Sequence, residues 1–406
     1  MNSYEKYFLS DNPFPTTPIL DPGSNDDRVN GKIYNPHIRE GEIHSFESKI
    51  RLRPPLIYIE NSEFERGVGK SALLVQQWRQ LQAQADVTSI YIRSMERLKP
   101  ADFAARVIER WHHDGHLWTV ILQLLELYVK EKPKGELPVA GFSLYKEKQP
   151  KLPKRPIPLS SIQVFNSKRL FGDLAAMTHE KTGEYLSIDM AKLFFETYLT
   201  DPDRFIQSYP SLLHKQKMDD IALLSGVYRL LREGGYQYHY LFFDQFEDVV
   251  AGMTGKALIT FNTEMRRLIE ASMGQATITV TLHPGATQAL NTHEGGDIRS
   301  LAPLDSRHVV DVRPLTKEGA RQLALTYLNH YRLAGTEHSD PLYPFTPDAV
   351  DAIHTASQGN IRACLQAFNY AIVCGMDANC ALIDESFLIQ HHTDITGRIH
   401  PEHINL

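Results

Sequence analysis

Five consecutive residues, at positions 67–71, carry the groups that proteins use to bind a chain of phosphates: Gly-Val-Gly-Lys-Ser. Glycines let a backbone curl so that its N–H groups face phosphate oxygens, and a helix that starts there adds the positive end of its dipole. Lys70 would neutralise the β- and γ-phosphates, and Ser71 would offer its hydroxyl to Mg²⁺. We therefore predict a loop that binds ATP with Mg²⁺. Its expected nucleotide contacts come from Arg66, Gly67, Val68, Gly69, Lys70, Ser71 and Ala72.

A strand must enter this loop and a helix must leave it. Residues 56–59 form a short apolar run typical of a buried strand, and helical spacing of apolar residues begins at Ala72. The motif Gly-x-x-x-x-Gly-Lys-Ser/Thr is complete except at its first position, where Phe64 replaces glycine. The alternative interpretation is a glycine-rich turn before a helix that carries Lys-Ser by coincidence. The order of strand, glycines and helix favours the nucleotide loop.

A second apolar run, at residues 240–243, ends in Asp244. In P-loop enzymes such an aspartate holds the water shell of Mg²⁺, and the next residue is normally an acid that polarises the attacking water. Gln245 stands there in this chain, and Glu247 is the nearest carboxylate. Glutamine orients water but does not accept its proton. We predict Ser71 and Asp244 on the metal, Glu247 or Gln245 beside the water, and slow hydrolysis. The alternative is a core strand with an exposed acidic end.

Another strand, predicted at residues 276–283, has a polar end. If it lies parallel to the strand that ends in Asp244, it brings Thr281 or His283 close to the γ-phosphate. The stretch that precedes the 240–243 strand is longer than an ordinary crossover and mostly helical in pattern, which indicates an insertion into the nucleotide domain.

Composition limits the possible partners. The chain has 406 residues and a formal net charge of −6, which does not indicate extensive coating of a nucleic acid, so DNA contact would need a local basic patch. One candidate patch is the lysine- and proline-rich stretch at residues 146–158, which is either a solvated loop or a nucleic-acid contact. The chain has no apolar run long enough for a membrane span. We expect a soluble, cytoplasmic protein.

The chain divides by composition and helix signals. Its first residues are rich in Asn, Asp, Pro and Gly, and its last ninety or so show helix caps at Thr316, Thr346 and Asn360. The expected division is an N-terminal arm at 1–35, the first part of the nucleotide domain at 36–111, a mostly helical insertion at 112–217, the second part of the domain at 218–314, and a helical lid and tail at 315–406.

The order of these elements resembles the AAA+ ATPase superfamily, most of all its branch of origin-recognition and archaeal initiator ATPases, transposition regulators and STAND-related proteins. The resemblance covers about residues 36–390. The glycine loop matches Walker A, and the strand ending in Asp244 matches Walker B. Positions 39–43, Arg-Glu-Gly-Glu-Ile, match a segment that packs beside the adenine, and positions 359–362, Gly-Asn-Ile-Arg, are similar to the sensor 2 helix.

This resemblance implies roles for further residues. Arg39 would lie beside the adenine, Thr281 or His283 would be sensor 1, and Arg362 would reach the γ-phosphate from the lid. The implied fold is α/β: a three-layer P-loop NTPase domain with a helical insertion and a C-terminal helical lid. Phe64 and Gln245 depart from the family pattern.

The family also implies assembly. In it, an arginine of a neighbouring subunit completes the ATP site, and Arg307 falls near that position, with Arg299 as the alternative. The expected function is therefore that of an ATP-hydrolysing, oligomeric switch that acts with DNA in replication, transposition or mobile-element defence. The alternative is a STAND-like signalling or scaffold ATPase with slow hydrolysis that docks a protein partner on the 112–217 insertion. A third interpretation is a non-hydrolysing relic whose site only stabilises the fold.

Overall fold

The computed structural model describes residues 3–61, 66–93, 100–131, 139–140, 163–164, 167–182, 186–199, 201, 206, 220–250, 253, 255–292, 296–336 and 338–396. Two features of the sequence prediction lie outside these ranges, namely Phe64 and the basic, proline-rich stretch at 146–158.

A parallel five-stranded sheet forms the centre of the molecule, in the order β2-β5-β6-β1-β7. Its strands are rich in β-branched and aromatic residues, which favour a pleated and buried backbone. Their bounds are Leu56–Glu60 for β1, Val87–Ile92 for β2, Tyr238–Phe243 for β5, Ala276–Thr281 for β6 and Val309–Asp311 for β7. A separate antiparallel pair consists of β3, Val139–Ala140, and β4, Gln163–Val164.

Helices cover both faces of the sheet. Successive residues of a strand point to opposite faces. Ile57 of β1 accordingly packs with the helices before and after that strand, whereas Tyr58 packs with the helices that follow β2 and precede β5. The described helices are Glu40–Arg51, Lys70–Gln82, Pro100–His113, His116–Glu131, Ser167–Thr182, Ile188–Tyr198, Asp220–Glu233, Glu247–Val250, Gly255–Ala271, Pro284–Leu290, Gly296–Leu301, Lys317–Tyr331, Pro347–Ser357, Ile361–Asp377, Glu385–Gln390 and His392–Thr396.

The helices from Lys317 to Thr396, here called the lid, have their own hydrophobic core. Three of them begin where the sequence predicts, because the side chains of Thr316, Thr346 and Asn360 each accept a hydrogen bond from a backbone N–H in the first turn. The predicted fold class is thus confirmed: α/β, three layers around a parallel sheet, with a C-terminal helical lid.

Residues 3–35, here called the arm, contribute side chains to the core of the lid. Phe14 is fully buried there and stacks on Tyr327 and Phe368, with ring centroids 5.7 and 5.0 Å apart. Two side-chain amides fix the backbone of this segment: Asn369 Nδ2 donates to the carbonyl of Phe14 at 2.6 Å, and Asn12 Nδ2 donates to the carbonyl of Asn369 at 3.3 Å. The arm therefore adds aromatic packing and hydrogen bonds to a core whose other buried members lie at positions 315–395.

One predicted boundary is wrong. The strand expected to reach position 283 ends at Thr281, and His283 instead caps the helix Pro284–Leu290. The cause is local: Pro284 occupies the first helical position, where proline is favoured, and His283 Nδ1 accepts the N–H of Ala286 at 3.3 Å. In the part of the chain described above, no helix is both long and apolar enough to cross a membrane.

Candidate nucleotide site

The candidate site lies at the carboxyl edge of the sheet, where the loops after β1, β5 and β6 meet. In parallel α/β sheets this edge is where ligands bind, because the loops that connect strands to helices converge there. Strand β1 lies between β6 and β7, and β5 is the next strand beyond β6. A single strand, β6, therefore separates the glycine loop that follows β1 from Asp244, which follows β5.

The glycine loop has the backbone that its sequence predicts. Gly67 and Gly69 have φ values of +94° and +98°, which residues with a Cβ rarely adopt. The helix Lys70–Gln82 starts directly after them. Lys70 is only 6% exposed. Its ammonium group donates to the carbonyl oxygen of Leu282 and lies 3.6 Å from Glu247 Oε1, which places the positive charge near the ends of β5 and β6.

Asp244 accepts three hydrogen bonds. Ser71 Oγ donates to its Oδ1 at 3.0 Å, the backbone N–H of Gln245 donates to the same oxygen at 3.0 Å, and the hydroxyl of Tyr91 donates to Oδ2 at 2.6 Å. Burial is the main cause that raises the pKa of Asp244, with a smaller contribution from the charge of Glu247. The carboxylate is thus a buried negative charge that the surrounding donors compensate only in part.

Tyr91 was not found from the sequence. It lies on β2, the neighbour of β5, and burial raises its pKa well above the usual range, so the hydroxyl remains a donor to Asp244. Its position next to last in β2 puts it near the same sheet edge as Asp244.

Glu247 connects the two sides of the site. Its Oε2 accepts a hydrogen bond from the hydroxyl of Thr281, and its Oε1 faces Lys70. Gln245 lies on the tight turn just after β5, with φ at +58°, and lines the same cavity as Glu247. Of the two sensor 1 candidates, Thr281 is therefore joined to this cluster through Glu247, whereas His283 is engaged as a helix cap.

The lid supplies a second positive group. Arg362 lies in the first turn of the helix Ile361–Asp377 and lines the cavity opposite the sheet edge. Burial, and next the charge of Arg66, lower its pKa. Two guanidinium groups that repel each other at the border of a cavity favour an anion between them.

A cavity of about 260 Å³ extends from this cluster to the arm and the lid, close to the lower end of the range of about 300–1,000 Å³ for small-molecule sites. The predicted site residues that line it are Arg39, Arg66, Gly67, Val68, Gly69, Lys70, Ser71, Ala72, Gln245, Glu247 and Arg362. Asp244 and Thr281 do not line the cavity themselves. Each is hydrogen-bonded to a residue that does, Asp244 to Ser71 and Thr281 to Glu247.

The two candidate arginine fingers differ in surroundings. Arg307 precedes β7 near the opposite, amino-terminal edge of the sheet; its side chain is 70% exposed and pairs with Asp305 at 2.6 Å. Arg299 donates to the carbonyls of Asn291 and Thr292 at the end of the preceding helix. Arg299 thus has a structural task within its own chain, whereas Arg307 is accessible to a second molecule.

The far end of the cavity is apolar, and the sequence did not predict its walls. One part of the wall comes from the arm and the segment just after it, and the other part comes from the first and third helices of the lid. The apolar lining residues are Pro18, Ile19, Leu20, Val29, Ile33, Ile38, Leu323, Ile361 and Leu365. Such a wall suits a flat, largely apolar ring, while the glycine loop and Lys70 suit phosphates.

Two observations at Asp244 fit Mg²⁺, and the glycines of the loop are required by the lid as well. A Cβ at Gly67 or Gly69 would lie 2.4 or 2.8 Å from lid side-chain atoms, so the loop needs glycine to pass so close to the lid. Ser71 Oγ is hydrogen-bonded to the Asp244 carboxylate, and Mg²⁺ prefers such oxygen ligands. The buried charge of Asp244 is one that a cation would offset.

The chain matches no protein-family model and no curated protein. Among solved structures, it is similar to the crystal structure of Cdc6p from Pyrobaculum aerophilum, at 12% sequence identity and a TM-score of 0.46, over 94% of this chain and 72% of that one. At these values the similarity adds nothing to the assignment of the site, which depends on the geometry above.

Proposed function

We propose that this chain is a P-loop ATPase of the AAA+ type, which binds ATP with Mg²⁺ between the sheet edge and the lid. The observation that carries the proposal is the contact of Ser71 Oγ with Asp244 at 3.0 Å, beside a buried Lys70 that faces Glu247. A glycine loop, a lysine, a serine and an aspartate at the end of another strand of the same sheet are the parts that phosphoryl transfer from a nucleotide requires.

Each side chain has a distinct task in hydrolysis. Lys70 and Arg362 neutralise charge on the phosphates, and the N–H groups of the glycine loop bind their oxygens. Ser71 and Asp244 would hold Mg²⁺, which would supply positive charge to offset that of the phosphates. Glu247 accepts the proton of the attacking water, and Thr281 fixes the carboxylate by donating to its other oxygen. Gln245 orients the same water from the adjacent turn.

The first test measures ATP turnover by the purified full chain with Mg²⁺ and with a chelator present. We expect slow, Mg²⁺-dependent release of phosphate, and we expect Asp244→Asn to abolish turnover while nucleotide still binds. A matched control is Asp384→Asn, which changes a helix cap in the lid far along the chain from this site. Wild-type protein that binds no ATP in calorimetry would contradict the proposal.

We also propose that the ATP-bound protein assembles with further copies of itself. The exposure of Arg307 supports this, because a guanidinium outside its own site is available to another subunit. Action on DNA remains the preferred prediction. The basic stretch that would contact DNA, at residues 146–158, lies outside the described residues. The STAND-like scaffold is the alternative.

Size-exclusion chromatography with light scattering separates these two cases, with and without a non-hydrolysable ATP analogue and a DNA duplex. A discrete oligomer that forms with the analogue and retains DNA supports the first. Arg307→Ala should then remove ATPase activity from the oligomer, while the control Arg313→Ala, another exposed arginine, should not. A monomer that ignores DNA in both states supports the scaffold function.

A further inference from the structure

Three consecutive carbonyl oxygens of the glycine loop are each held by a donor from another part of the chain. Asn360 Nδ2 donates to the carbonyl of Arg66 at 2.9 Å, and the backbone N–H of Arg362 donates to that of Gly67 at 3.0 Å. Arg39 Nη2 donates to the carbonyl of Val68 at 2.6 Å. Two of these donors belong to the lid, and the third belongs to the segment just before the helix Glu40–Arg51.

These contacts decide which way the loop's N–H groups face. A trans peptide is planar, so the carbonyl of one residue and the N–H of the next point in opposite directions. When the carbonyls of residues 66, 67 and 68 are bound to outside donors, the N–H groups of residues 67, 68 and 69 turn away from those donors. A row of N–H groups on one side of a loop is what binds a phosphate.

Asn360 performs two tasks with one side chain. Its Oδ1 accepts the N–H of Ala363 at 3.2 Å and caps the lid helix, while its Nδ2 reaches the loop. A Cβ at Gly67 would lie 2.4 Å from Asn360 Oδ1, so the approach of the lid to the loop depends on glycine at this position.

Arg39 donates to three protein oxygens through its two terminal nitrogens, while its buried Nε has no hydrogen-bond partner. Besides the carbonyl of Val68, its guanidinium donates to Glu42 Oε1 at 2.7 Å and to the carbonyl of Arg313, in the segment that leads from β7 to the lid. The side chain is 6% exposed. These bonds join the glycine loop to the start of the lid, which is a different role from contact with the adenine.

We propose that Asn360 and Arg39 are positioning residues that hold the glycine loop in its phosphate-binding shape, so that the affinity for the phosphate chain depends on the attachment of the lid. The inference rests on the proposed nucleotide site and goes beyond it. It assigns the shape of the loop to contacts made from outside the loop, and it gives Arg39 a role independent of the base.

The test compares the binding of ATP, GTP, ADP and inorganic tripolyphosphate to the full chain by calorimetry. Asn360→Ser keeps a good helix cap but loses the amide donor, and Arg39→Lys keeps the charge but loses the planar fork. We expect each variant to bind all four ligands about three- to tenfold more weakly, as the loss of one hydrogen bond allows. The ratio of ATP to GTP affinity should not change.

Asp384→Ser is the matched control, because Asp384 caps another lid helix. It should bind all four ligands as the wild type does. Hydrogen exchange on the peptide that contains residues 66–69 supplies a second readout, and it should be faster in Asn360→Ser than in the wild type.

The inference is overturned if Asn360→Ser and Arg39→Lys bind tripolyphosphate as tightly as the wild type. It is also overturned for Arg39 if only the preference for ATP over GTP changes, since that result assigns Arg39 to the base. A wild-type chain that binds neither ATP nor tripolyphosphate contradicts the proposed function itself, and the inference falls with it.

Discussion

The two ends of the cavity are built in different ways. The phosphate end consists of polar groups at the carboxyl edge of the sheet, and its main parts are Lys70, Ser71 and Glu247, each in the first turn of a helix that follows a strand. The apolar end consists of side chains from the arm and the lid, which share a separate hydrophobic core. The difference suggests that the reactive groups are fixed by the sheet, whereas enclosure of the ligand depends on the packing of the arm against the lid.

Among the changes that distinguish the two ends, removal of Lys70 should have the largest effect, and it should affect the phosphate end alone. For Lys70→Ala we expect ATP turnover to fall by about a thousandfold, because the main charge on the β- and γ-phosphates is lost. Phosphate release in a single-turnover assay measures this. Lys317→Ala, at an exposed lysine of the lid, is the control. Turnover within tenfold of the wild type would assign Lys70 to structure.

Phe14→Ala should weaken the apolar end instead. Truncation of a fully buried phenylalanine that stacks on Tyr327 and Phe368 should lower the free energy of unfolding by about 3 kcal/mol. Urea denaturation checks this value, with Leu52→Ala at a 76% exposed position as the control.

The same Phe14→Ala variant sharpens the comparison when it is titrated with two ligands. Affinity for ATP should fall more than affinity for tripolyphosphate, because only ATP has a ring to place against the arm and lid. Equal losses for both ligands would mean that the two ends are not independent.

Glu247→Gln tests the chemistry of the phosphate end while the positive groups that bind the phosphates stay in place. We expect the turnover number to fall by about a hundredfold, as loss of a general base predicts, while the affinity for ATP stays within a fewfold of the wild type. Turnover and binding are measured separately, by single-turnover kinetics and calorimetry. An unchanged rate would leave the positioning of water to Gln245.

The smallest expected effect concerns the stability cost of Asp244. Burial raises its pKa above the value in the unfolded chain, so the ionised carboxylate costs stability at neutral pH in the absence of metal. This cost is absent where the group is protonated in both states, and it grows as the pH rises through the folded-state pKa. Asp244→Asn should therefore raise the melting temperature by about 1–2 °C at pH 7, with a smaller gain at pH 5. Scanning calorimetry at both pH values decides the sign.

The parts of the site that the sequence predicted are those encoded by neighbouring residues. The strand, glycine loop and helix around Lys70 lie within one short stretch, and Asp244 directly follows an apolar run. Likewise, Thr346 and Asn360 could be found as helix caps because a cap depends on residues two or three positions away. The α/β fold class followed from the same local patterns.

The remaining features depend on contacts between distant residues, which no local pattern contains. Tyr91 meets Asp244 because β2 and β5 are neighbours in the sheet, although they are far apart in sequence. The amide of Asn360 reaches the carbonyl of Arg66 across 294 residues, so its cap could be predicted but its second bond could not. His283 was misplaced because a polar residue at a strand end and a helix cap have similar local sequences.

The burial of Phe14 within the lid has a consequence for synthesis on the ribosome. Its hydrogen-bond partner Asn369 is made 355 residues later, which at ~5–20 residues per second corresponds to roughly 20 to 70 seconds of translation. During that interval the arm has apolar side chains without their final partners, while the strands of the sheet are already emerging. We expect the arm of the nascent chain to bind chaperones. It becomes buried only when the lid helices have been made and have folded around it.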